Sequence, residues 1–373
     1  MKVLNREDIM DILYGGAILG TGGGGSLTKG IEFIDLAISK GKTFKLASFD
    51  ELEAEDIVVC PYSCGAISPL SEEERKKYEG LPVYEDTYHI KALENMEAYL
   101  GKPVKAVIST EIGAGNTAKA LFCAAMADKV LVDGDPAGRS VPCLQHSTFY
   151  LHDVPITPMS VVNKFGESLI VKDVVNDYRA ETIVRSFAVA SQNTTAVCDH
   201  ANTAEVIGKS VIRGAISYTQ QIGHAYRSAL AAGQDYAEAV AKAGEGFVAL
   251  RGEVRRNDWG TEEGYTVGTM IIDGSGEFAG NEYKIWYQNE NIILWKNGEY
   301  YITVPDLICV FNDDAKEPQL NPFAQEGESV SVIILPAPAE WTTEKGLEVF
   351  GPRSFGYDVD WKPMGKQHED QSH

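Results

Sequence analysis

Hydrophobic residues in the first part of the chain recur alternately at helical and at strand spacing. Apolar residues lie at helical intervals from Leu27 to Ile38, and Ser26 is placed to cap the start of that helix. Residues 57–60 form instead a short unbroken apolar run, which is typical of a strand buried on both faces. The same patterns predict a helix over 86–100, strands over 105–110 and 129–132 with a helix from Asn116 between them, and further strands near 154–162 and 168–172. This alternation predicts a Rossmann-like parallel α/β unit.

The pattern changes in the second half of the chain. Small and apolar residues alternate over about 203–232, and a further helix is predicted over 235–245. From Phe247 onward the runs are typical of strands, and Asn297-Gly298 between two of them is a strong hairpin signal. We therefore predict an α/β domain over 1–165, a helical connector over 166 to about 246, a mainly antiparallel β-rich domain to 363, and a polar tail over 364–373.

Composition and charge exclude several classes of partner. The 373 residues include 33 Lys and Arg against 54 Asp and Glu, which gives a net charge of −21. Charge of this sign repels phosphate backbones and anionic lipids, so we expect neither a nucleic-acid nor a membrane partner. The first residues lack the apolar core of a signal peptide, and the six cysteines are too widely spread for a disulfide scaffold. We therefore expect a cytoplasmic protein with free thiols.

A glycine-rich segment, Gly20-Thr21-Gly22-Gly23-Gly24-Gly25, formally matches the dinucleotide-binding pattern GxGxxG. That pattern needs a preceding strand, whereas residues 6–19 have the periodicity of a helix, so no nucleotide cofactor is expected. Consecutive glycines indicate positive φ angles or a close approach of the backbone. The amides of Gly22, Gly23, Gly24 and Gly25, followed by Ser26, are candidate donors to a substrate carbonyl or carboxylate. The alternative is a tight corner between two helices without a ligand.

Polar residues follow each of the three predicted parallel strands. Ligands of open parallel sheets bind beyond the carboxyl ends of the strands, so these residues are candidates for one site. The candidates are Cys64 after the first strand, Glu111 and Asn116 after the second, and Asp133, Asp135 and Arg139 after the third. Carboxyl groups held close together raise each other's proton affinity, so Glu111, Asp133 and Asp135 are the candidate acid and base groups. Alternatively, Asp135 caps a turn and Arg139 forms a local ion pair.

A metal site is a weaker alternative. His146 and His152, together with Glu111 and the aspartates, offer ligands for a divalent cation, but their spacing matches no tight metal motif. We therefore expect an enzyme without a metal or other cofactor.

The chain resembles the S-methyl-thiohydantoin desulfurase family, a hydantoinase-associated family formerly described as a domain of unknown function. The segments that carry the resemblance are 20–25, Glu111-Ile112-Gly113 with Asn116, Asp133-Gly134-Asp135 with Gly138-Arg139, Pro142, Leu144-Gln145, Asn289-Glu290-Asn291, Val304-Pro305-Asp306-Leu307-Ile308 and Pro352-Arg353-Ser354-Phe355-Gly356-Tyr357-Asp358. The chain departs from the family pattern at Pro61-Tyr62-Ser63-Cys64 and at His146, both near the expected pocket.

The resemblance implies hydrolysis of an S-methyl-thiohydantoin to a hydantoin and methanethiol. Arg139, beside the aspartates, would offset their charge or hold a substrate carbonyl, and Gln145 is a further candidate for substrate binding. A carboxylic acid would protonate a ring nitrogen, and a second carboxylate or a histidine would activate water. Two alternatives stay open: an accessory subunit that binds such a ligand without turnover, and a metal-assisted amidohydrolase-like enzyme. A hydantoinase-type protein partner and a homo-oligomer are further expectations.

Overall fold

The structure is a computed structural model that describes residues 1–65, 72, 76–84, 87–262 and 264–364. The first ten strands are β1 (Lys2–Leu4), β2 (Phe44–Ala47), β3 (Ile57–Gly65), β4 (Val104–Val107), β5 (Val130–Val132), β6 (Gly134–Asp135), β7 (Met159–Val162), β8 (Ser168–Val171), β9 (Thr194–Thr203) and β10 (Ile212–Arg213). The polar tail expected over 364–373 lies, except for residue 364, outside the described residues, as do residue 86 of the predicted helix over 86–100 and residues 66–71 after β3.

Eight of these strands form one mixed sheet in the order β1-β2-β5-β4-β3-β9-β7-β8. Strands β2, β5, β4 and β3 are parallel neighbours, and the remaining strands join antiparallel. The three strands predicted over 57–60, 105–110 and 129–132 therefore lie side by side in one sheet. This confirms the α/β class of the first part, whereas the Rossmann-like arrangement stays a prediction.

The last eight strands form a second sheet, which is entirely antiparallel, as expected for the β-rich part. They are β11 (Phe247–Glu262), β12 (Tyr265–Gly274), β13 (Glu282–Gln288), β14 (Glu290–Lys296), β15 (Glu299–Thr303), β16 (Leu307–Asn312), β17 (Glu317–Pro318) and β18 (Ser329–Leu335). Asn297-Gly298 forms the turn between β14 and β15, with both residues at positive φ. The hairpin predicted from this dipeptide is therefore confirmed.

Several of the helices pack against the first sheet, on both of its faces. Among the described residues they are α1 (Arg6–Leu19), α2 (Leu27–Ser39), α3 (Tyr88–Leu100), α4 (Ala114–Met126), α5 (Thr148–Leu151), α6 (Asp177–Val189), α7 (Ala204–Lys209), α8 (Ala215–Ala231), α9 (Tyr236–Ala243) and α10 (Glu344–Phe350). Ser26 caps α2 by accepting a hydrogen bond from the amide of Lys29, as its place in the sequence predicts. Asn5 caps α1 in the same way, through the amide of Asp8.

Residues 166–246 are less helical than expected. Strand β9 lies in this segment and pairs with β3 in the first sheet, because its first residues, Thr-Thr-Ala-Val-Cys, are largely of types that favour strands. The helical region expected over about 203–232 is divided into α7 and α8, since β10 pairs with β6 and Gly214 has a φ of 77°. The domain boundary expected near residue 165 stays a prediction, although β8 and β9 beyond it belong to the first sheet.

Helices α1, α8 and α9 lie between the two sheets and share one hydrophobic core with both. Strand β16 shows how the second sheet contributes to it. Leu307, Cys309 and Phe311 belong to the core shared with the helices, whereas Ile308 and Val310 belong to a separate core on the other face of the sheet. Because successive side chains of a strand point to opposite faces, a continuously apolar strand such as β16 is buried on both.

A buried arginine connects the two sheets. The side chain of Arg139 is 0% exposed and follows β6. Its guanidinium donates to the second half of the chain at the carbonyl oxygens of Pro305 (3.3 Å), Asp306 (3.2 Å) and Asn291 (3.2 Å). It also donates to Thr21 Oγ1 at 2.8 Å, directly before the glycines of residues 22–25. These contacts hold the glycine segment, the loop after β6 and the second sheet in one arrangement.

None of the helices in the described part of the chain is long and apolar enough to cross a lipid bilayer.

Replacement of Arg139 by methionine should destabilise the protein strongly. The change keeps a similar side-chain volume but leaves several buried carbonyl oxygens without their donor, so we expect a loss of roughly 3 kcal/mol or more in the free energy of unfolding. Urea unfolding followed by circular dichroism measures this loss. Arg353→Met is the control, because Arg353 is 57% exposed and solvent screens its ion pairs with Asp358 and Asp360, so little stability should be lost. Equal stability of the two variants would contradict the connecting role of Arg139.

Candidate functional site

A cavity of about 390 Å³ lies where the first sheet meets the second. The first half of the chain contributes the glycine segment 22–25 with Ser26, the end of β3, residues 110–111 after β4, and residues 141–144. Further walls are Glu181 and Arg185 of α6, Asp199 and His200 of β9, and residues 289, 290, 320, 321 and 323 of the second half. The structure therefore brings together Gly22, Gly23, Gly24, Gly25, Ser26, Cys64, Glu111 and Asn116 of the residues predicted from the sequence.

The glycine segment is shaped by close contacts with its neighbours. Gly22, Gly24 and Gly25 have φ values of 94°, 75° and 87°, which other residues rarely adopt. The carbonyl oxygen of Gly24 accepts hydrogen bonds from the amides of Gly115 and Asn116 at the start of α4. Among the described residues, no group accepts a hydrogen bond from the amides of Gly24 and Gly25. The segment is thus a wall of the cavity with amide donors that no described group uses.

Glu111 is buried at the wall of the cavity and is held by several donors. Asn116 Nδ2 donates to Glu111 Oε1 at 2.7 Å, and the amide of Val141 donates to Oε2 at 2.9 Å. Asn116 lies in the first turn of α4, so the helix fixes the amide that orients the carboxylate. Both residues were expected at this strand exit, and the structure shows that they are direct partners.

A second carboxyl group, that of Glu290, meets Glu111 at a shared hydroxyl. Ser140 Oγ lies 3.0 Å from Glu111 Oε2 and 2.8 Å from Glu290 Oε1. A serine hydroxyl has a single proton, so it donates to only one of the two carboxyl groups at a time. The other contact is a good hydrogen bond only if that carboxyl group carries the proton and donates to the serine oxygen. The geometry therefore favours one shared proton on this pair.

The two carboxyl groups differ in how well each can hold a negative charge. Burial raises the pKa of both, and the nearby Glu111 charge raises the pKa of Glu290 further, to about 8. Glu111 accepts from two additional donors, Asn116 and Val141, which stabilise its ionised form. Glu290 Oε2, by contrast, has no hydrogen-bond partner among the described residues. We therefore assign the negative charge to Glu111 and the proton to Glu290 near neutral pH.

A histidine and an aspartate of β9 also line the cavity. Asp199 Oδ1 lies 2.8 Å from His200 Nδ1, and Asp199 Oδ2 accepts a hydrogen bond from Tyr62 at 2.7 Å. The ring of His200 stacks on Phe149, with centroids 4.3 Å apart. Its other nitrogen, Nε2, is buried and has no hydrogen-bond partner among the described residues.

The structure places the acidic residues that follow β5 outside the cavity. Asp133 accepts hydrogen bonds from the amide and the hydroxyl of Ser217, so it caps α8. Asp135 is fully buried and accepts from the amides of Ala137 and Gly138, in the turn that the alternative interpretation describes. Burial raises the pKa of Asp135 to about 8, but the residue does not contact the cavity. The reason is local pairing, because Ser217 holds the carboxylate of Asp133 and the turn amides hold that of Asp135.

Two further predicted residues, Arg139 and Gln145, have other surroundings. The guanidinium of Arg139 is used in the contacts between the sheets, so it is not available to a substrate. Gln145 is partly buried but does not line the cavity. Neither of the two lines this cavity, and their role in binding a substrate stays a prediction.

The two histidines proposed as metal ligands have different surroundings. His146 lines the cavity and packs against Phe350 and Phe355, and burial lowers its pKa to about 3. His152 is exposed at the end of α5. Within the described ranges, no group of three or more His, Cys, Asp or Glu side chains is arranged to hold a metal ion.

Two thiols face the cavity in surroundings that keep them neutral. Burial raises the pKa of both Cys64 and Cys143 to about 12. Cys143 contacts the hydroxyl of Tyr265 at 3.4 Å, and that hydroxyl donates to Glu181 at 3.0 Å. Glu181 is paired in turn with Arg185 at 2.8 Å. Neutral thiols are poor nucleophiles, so this wall provides contacts rather than an attacking sulfur.

Sequence reasoning did not identify Glu290 or the pair Asp199 and His200 as site residues. The sequence signal for Glu290 is its place in the segment Asn289-Glu290-Asn291, which contributes to the family resemblance. The hydrophobic periodicity gives no sign of it. The dipeptide Asp199-His200 follows the β-rich run 194–198, and two adjacent polar residues in such a run indicate a bend or a site.

Comparisons with known proteins agree with this architecture. A family model described as the S-Me-THD-like N-terminal domain matches residues 7–173, and its C-terminal counterpart matches residues 175–364. A crystal structure of a protein from Chromobacterium violaceum is similar with a TM-score of 0.76 and 19% sequence identity, over 98% of this chain and 100% of that chain. At this identity the likeness shows the fold alone. A search of curated proteins found no match.

Replacement of Gly23 by alanine tests the close packing around the carboxyl pair. A Cβ at Gly23 would lie 1.8 Å from Glu290 Oε1, so Glu290 must leave its contact with Ser140. Overpacking of this kind costs about 1–3 kcal/mol, which thermal and urea unfolding should detect. Gly260→Ala is the matched control, because a Cβ there meets nothing within 4 Å. An unchanged Gly23→Ala protein would show that Glu290 does not occupy this position.

Proposed function

This chain belongs to the S-Me-THD-like family, and on that premise we propose that it is a cofactor-independent hydrolase that converts an S-methyl-thiohydantoin into a hydantoin and methanethiol. The observation that carries the proposal is the pair of buried carboxyl groups, Glu111 and Glu290, which meet on Ser140 at the cavity wall. Such a pair supplies the neutral carboxylic acid that this reaction needs at neutral pH.

The substrate has an electrophilic carbon between two ring nitrogens, and this carbon carries the S-methyl group. Water attacks that carbon readily only if a ring nitrogen becomes protonated at the same time. In our proposal Glu290 is the general acid, because burial and the adjacent Glu111 charge keep its carboxyl group protonated. Glu111 stays ionised, and its negative charge beside Ser140 keeps the proton on Glu290.

The glycine segment provides for the polar atoms of the ring. The free amides of Gly24 and Gly25 at the cavity wall are suited to donate hydrogen bonds to a ring carbonyl oxygen. Because these donors belong to the backbone, they are fixed before the substrate binds. We propose that they orient the ring so that one of its nitrogens lies next to Glu290.

The carboxyl pair can be tested directly by the release of thiol from a small panel of S-methyl-thiohydantoins. Glu290→Gln and Glu111→Gln should each reduce kcat/KM by about 100-fold or more, the scale for losing a general acid or its partner. Asp133→Asn is the control, since Asn can still cap α8 and the residue lies outside the cavity. Ligand binding without thiol release by the wild type would favour the accessory-subunit alternative, and loss of turnover on addition of a chelator would favour the metal alternative.

The pH dependence of the reaction follows from the state of Glu290. A general acid must carry its proton, and the raised pKa keeps Glu290 protonated up to about 8. We therefore expect kcat/KM to fall as the pH rises through about 8. The residual activity of Glu290→Gln should lack this fall, because glutamine does not titrate. A wild-type rate that keeps rising at higher pH would instead indicate simple attack by hydroxide.

The cysteines at the cavity should be dispensable for the chemical step. Both thiols are neutral near pH 7, because burial raises the pKa of each to about 12. Attack by a thiol would also exchange one C–S bond for another. Cys64→Ala and Cys143→Ala should therefore keep most of the thiol-releasing activity. A folded but inactive Cys64→Ala protein, or a covalent adduct on either sulfur detected by mass spectrometry, would indicate nucleophilic catalysis instead.

A further inference from the structure

The side chain of His200 has the surroundings of a catalytic base. Its Nδ1 lies 2.8 Å from the Asp199 carboxylate, and Tyr62 holds the other oxygen of that carboxylate. A carboxylate at Nδ1 places the ring proton on that nitrogen, so Nε2 is the nitrogen with a free lone pair. Nε2 has no hydrogen-bond partner in the described part of the chain. The imidazole lines the cavity, and its side chain is 6% exposed.

The backbone conformation at His200 supports this orientation of its side chain. Cys60 of β3 pairs with Asp199, whereas Val58 pairs with Asn202, so two residues of β9 stand opposite one residue of β3. This is a β-bulge, which redirects side chains locally. His200 itself has a φ of 44°, which is uncommon for a residue other than glycine and is found preferentially at functional sites. The fold therefore holds an unfavourable backbone conformation at the residue that faces the cavity.

The other buried histidines lack this combination. His89 Nε2 lies 2.7 Å from Ser63 Oγ, but the residue does not line the cavity. His146 lines the cavity but packs between aromatic rings, and its Nδ1 has no partner among the described residues. Only His200 combines, within the described ranges, a carboxylate on one ring nitrogen with a place at the cavity wall.

We propose that His200 is the general base that activates the attacking water, with Asp199 as its positioning residue. This assignment rests on the hydrolase function proposed above and adds the group that it lacks, since Glu290 donates a proton and does not remove one. The first sheet then supplies the base and the second sheet the acid, and both groups line one cavity.

The proton balance of the reaction closes with these two groups. In the first step the water oxygen bonds to the ring carbon, His200 Nε2 takes a proton from the water, and Glu290 gives its proton to the ring nitrogen. In the second step the new hydroxyl returns its proton to Glu290 while a carbonyl forms. The C–S bond breaks, and the methanethiolate takes the proton from the His200 imidazolium. The products are a hydantoin and methanethiol, and both side chains regain their starting states.

The variant His200→Asn removes the base with little disturbance of the fold. Asparagine accepts positive φ and its amide can still donate to Asp199, but it cannot take a proton. We expect kcat to fall by about 100-fold or more, with KM and the affinity for the product hydantoin nearly unchanged. His224→Asn is the control, because His224 also pairs with an aspartate, Asp11 at 3.1 Å, but lies outside this cavity.

A second variant separates a chemical role of His200 from a structural one. His200→Gly suits the positive φ and leaves a hole of imidazole size beside Asp199. Added imidazole should restore thiol release in this variant by at least tenfold, with no effect on the wild type. A purely structural histidine would not give this rescue. Circular dichroism and thermal unfolding establish that both variants are folded.

The outcomes distinguish this assignment from the proposed function. Wild-type turnover together with full activity of His200→Asn, or a folded His200→Gly variant without rescue, would overturn the role of His200 alone. Absence of any thiol release by the wild type would overturn the hydrolase function and this assignment with it.

Discussion

Two buried carboxyl groups that share one hydroxyl impose the main physical constraint on this molecule. Ser140 can give its single proton to Glu111 or to Glu290, so two ionised carboxylates at 3.0 Å and 2.8 Å from the same oxygen would leave one contact repulsive. The arrangement is favourable only if one carboxyl group remains protonated. Burial enforces this outcome, because water cannot screen the two charges.

The neighbourhood of the pair is arranged around that constraint. Glu290 can approach Ser140 because position 23 has no side chain, and the glycine segment can take its path because α4 offers amides to the carbonyl of Gly24. Arg139 fixes the relative position of the parts from which the two carboxyl groups come. The glycines therefore make room for the carboxyl pair. The buried Arg139 holds the surrounding segments together, and its charge is used within the protein.

The cavity is formed jointly by the two matched family domains. Glu111 and His200 come from the first sheet and its connections, whereas Glu290 begins β14 of the second. Glu111 lies in the segment matched by the N-terminal domain model, and Glu290 lies in the segment matched by the C-terminal one. Neither part alone contains the carboxyl pair, so the contact between the sheets is itself a requirement for the proposed chemistry.

The sequence by itself determined the local elements and the residues that local geometry controls. The cap at Ser26 and the hairpin at Asn297-Gly298 depend on contacts within a few residues, which periodicity and residue type record.

Only the tertiary structure decided which acidic residues meet. Ser140 and Glu290 are 150 positions apart, and the pairing of β9 with β3 brings His200 to the cavity. Asp133 and Asp135 are held away from it by Ser217 and by turn amides. Hydrophobic periodicity indicates the face of a strand on which a side chain lies. It indicates neither the order of the strands in a sheet nor which other sheet covers that face. The partner of a buried charge is therefore set by packing between distant segments, which leaves no local pattern in the sequence.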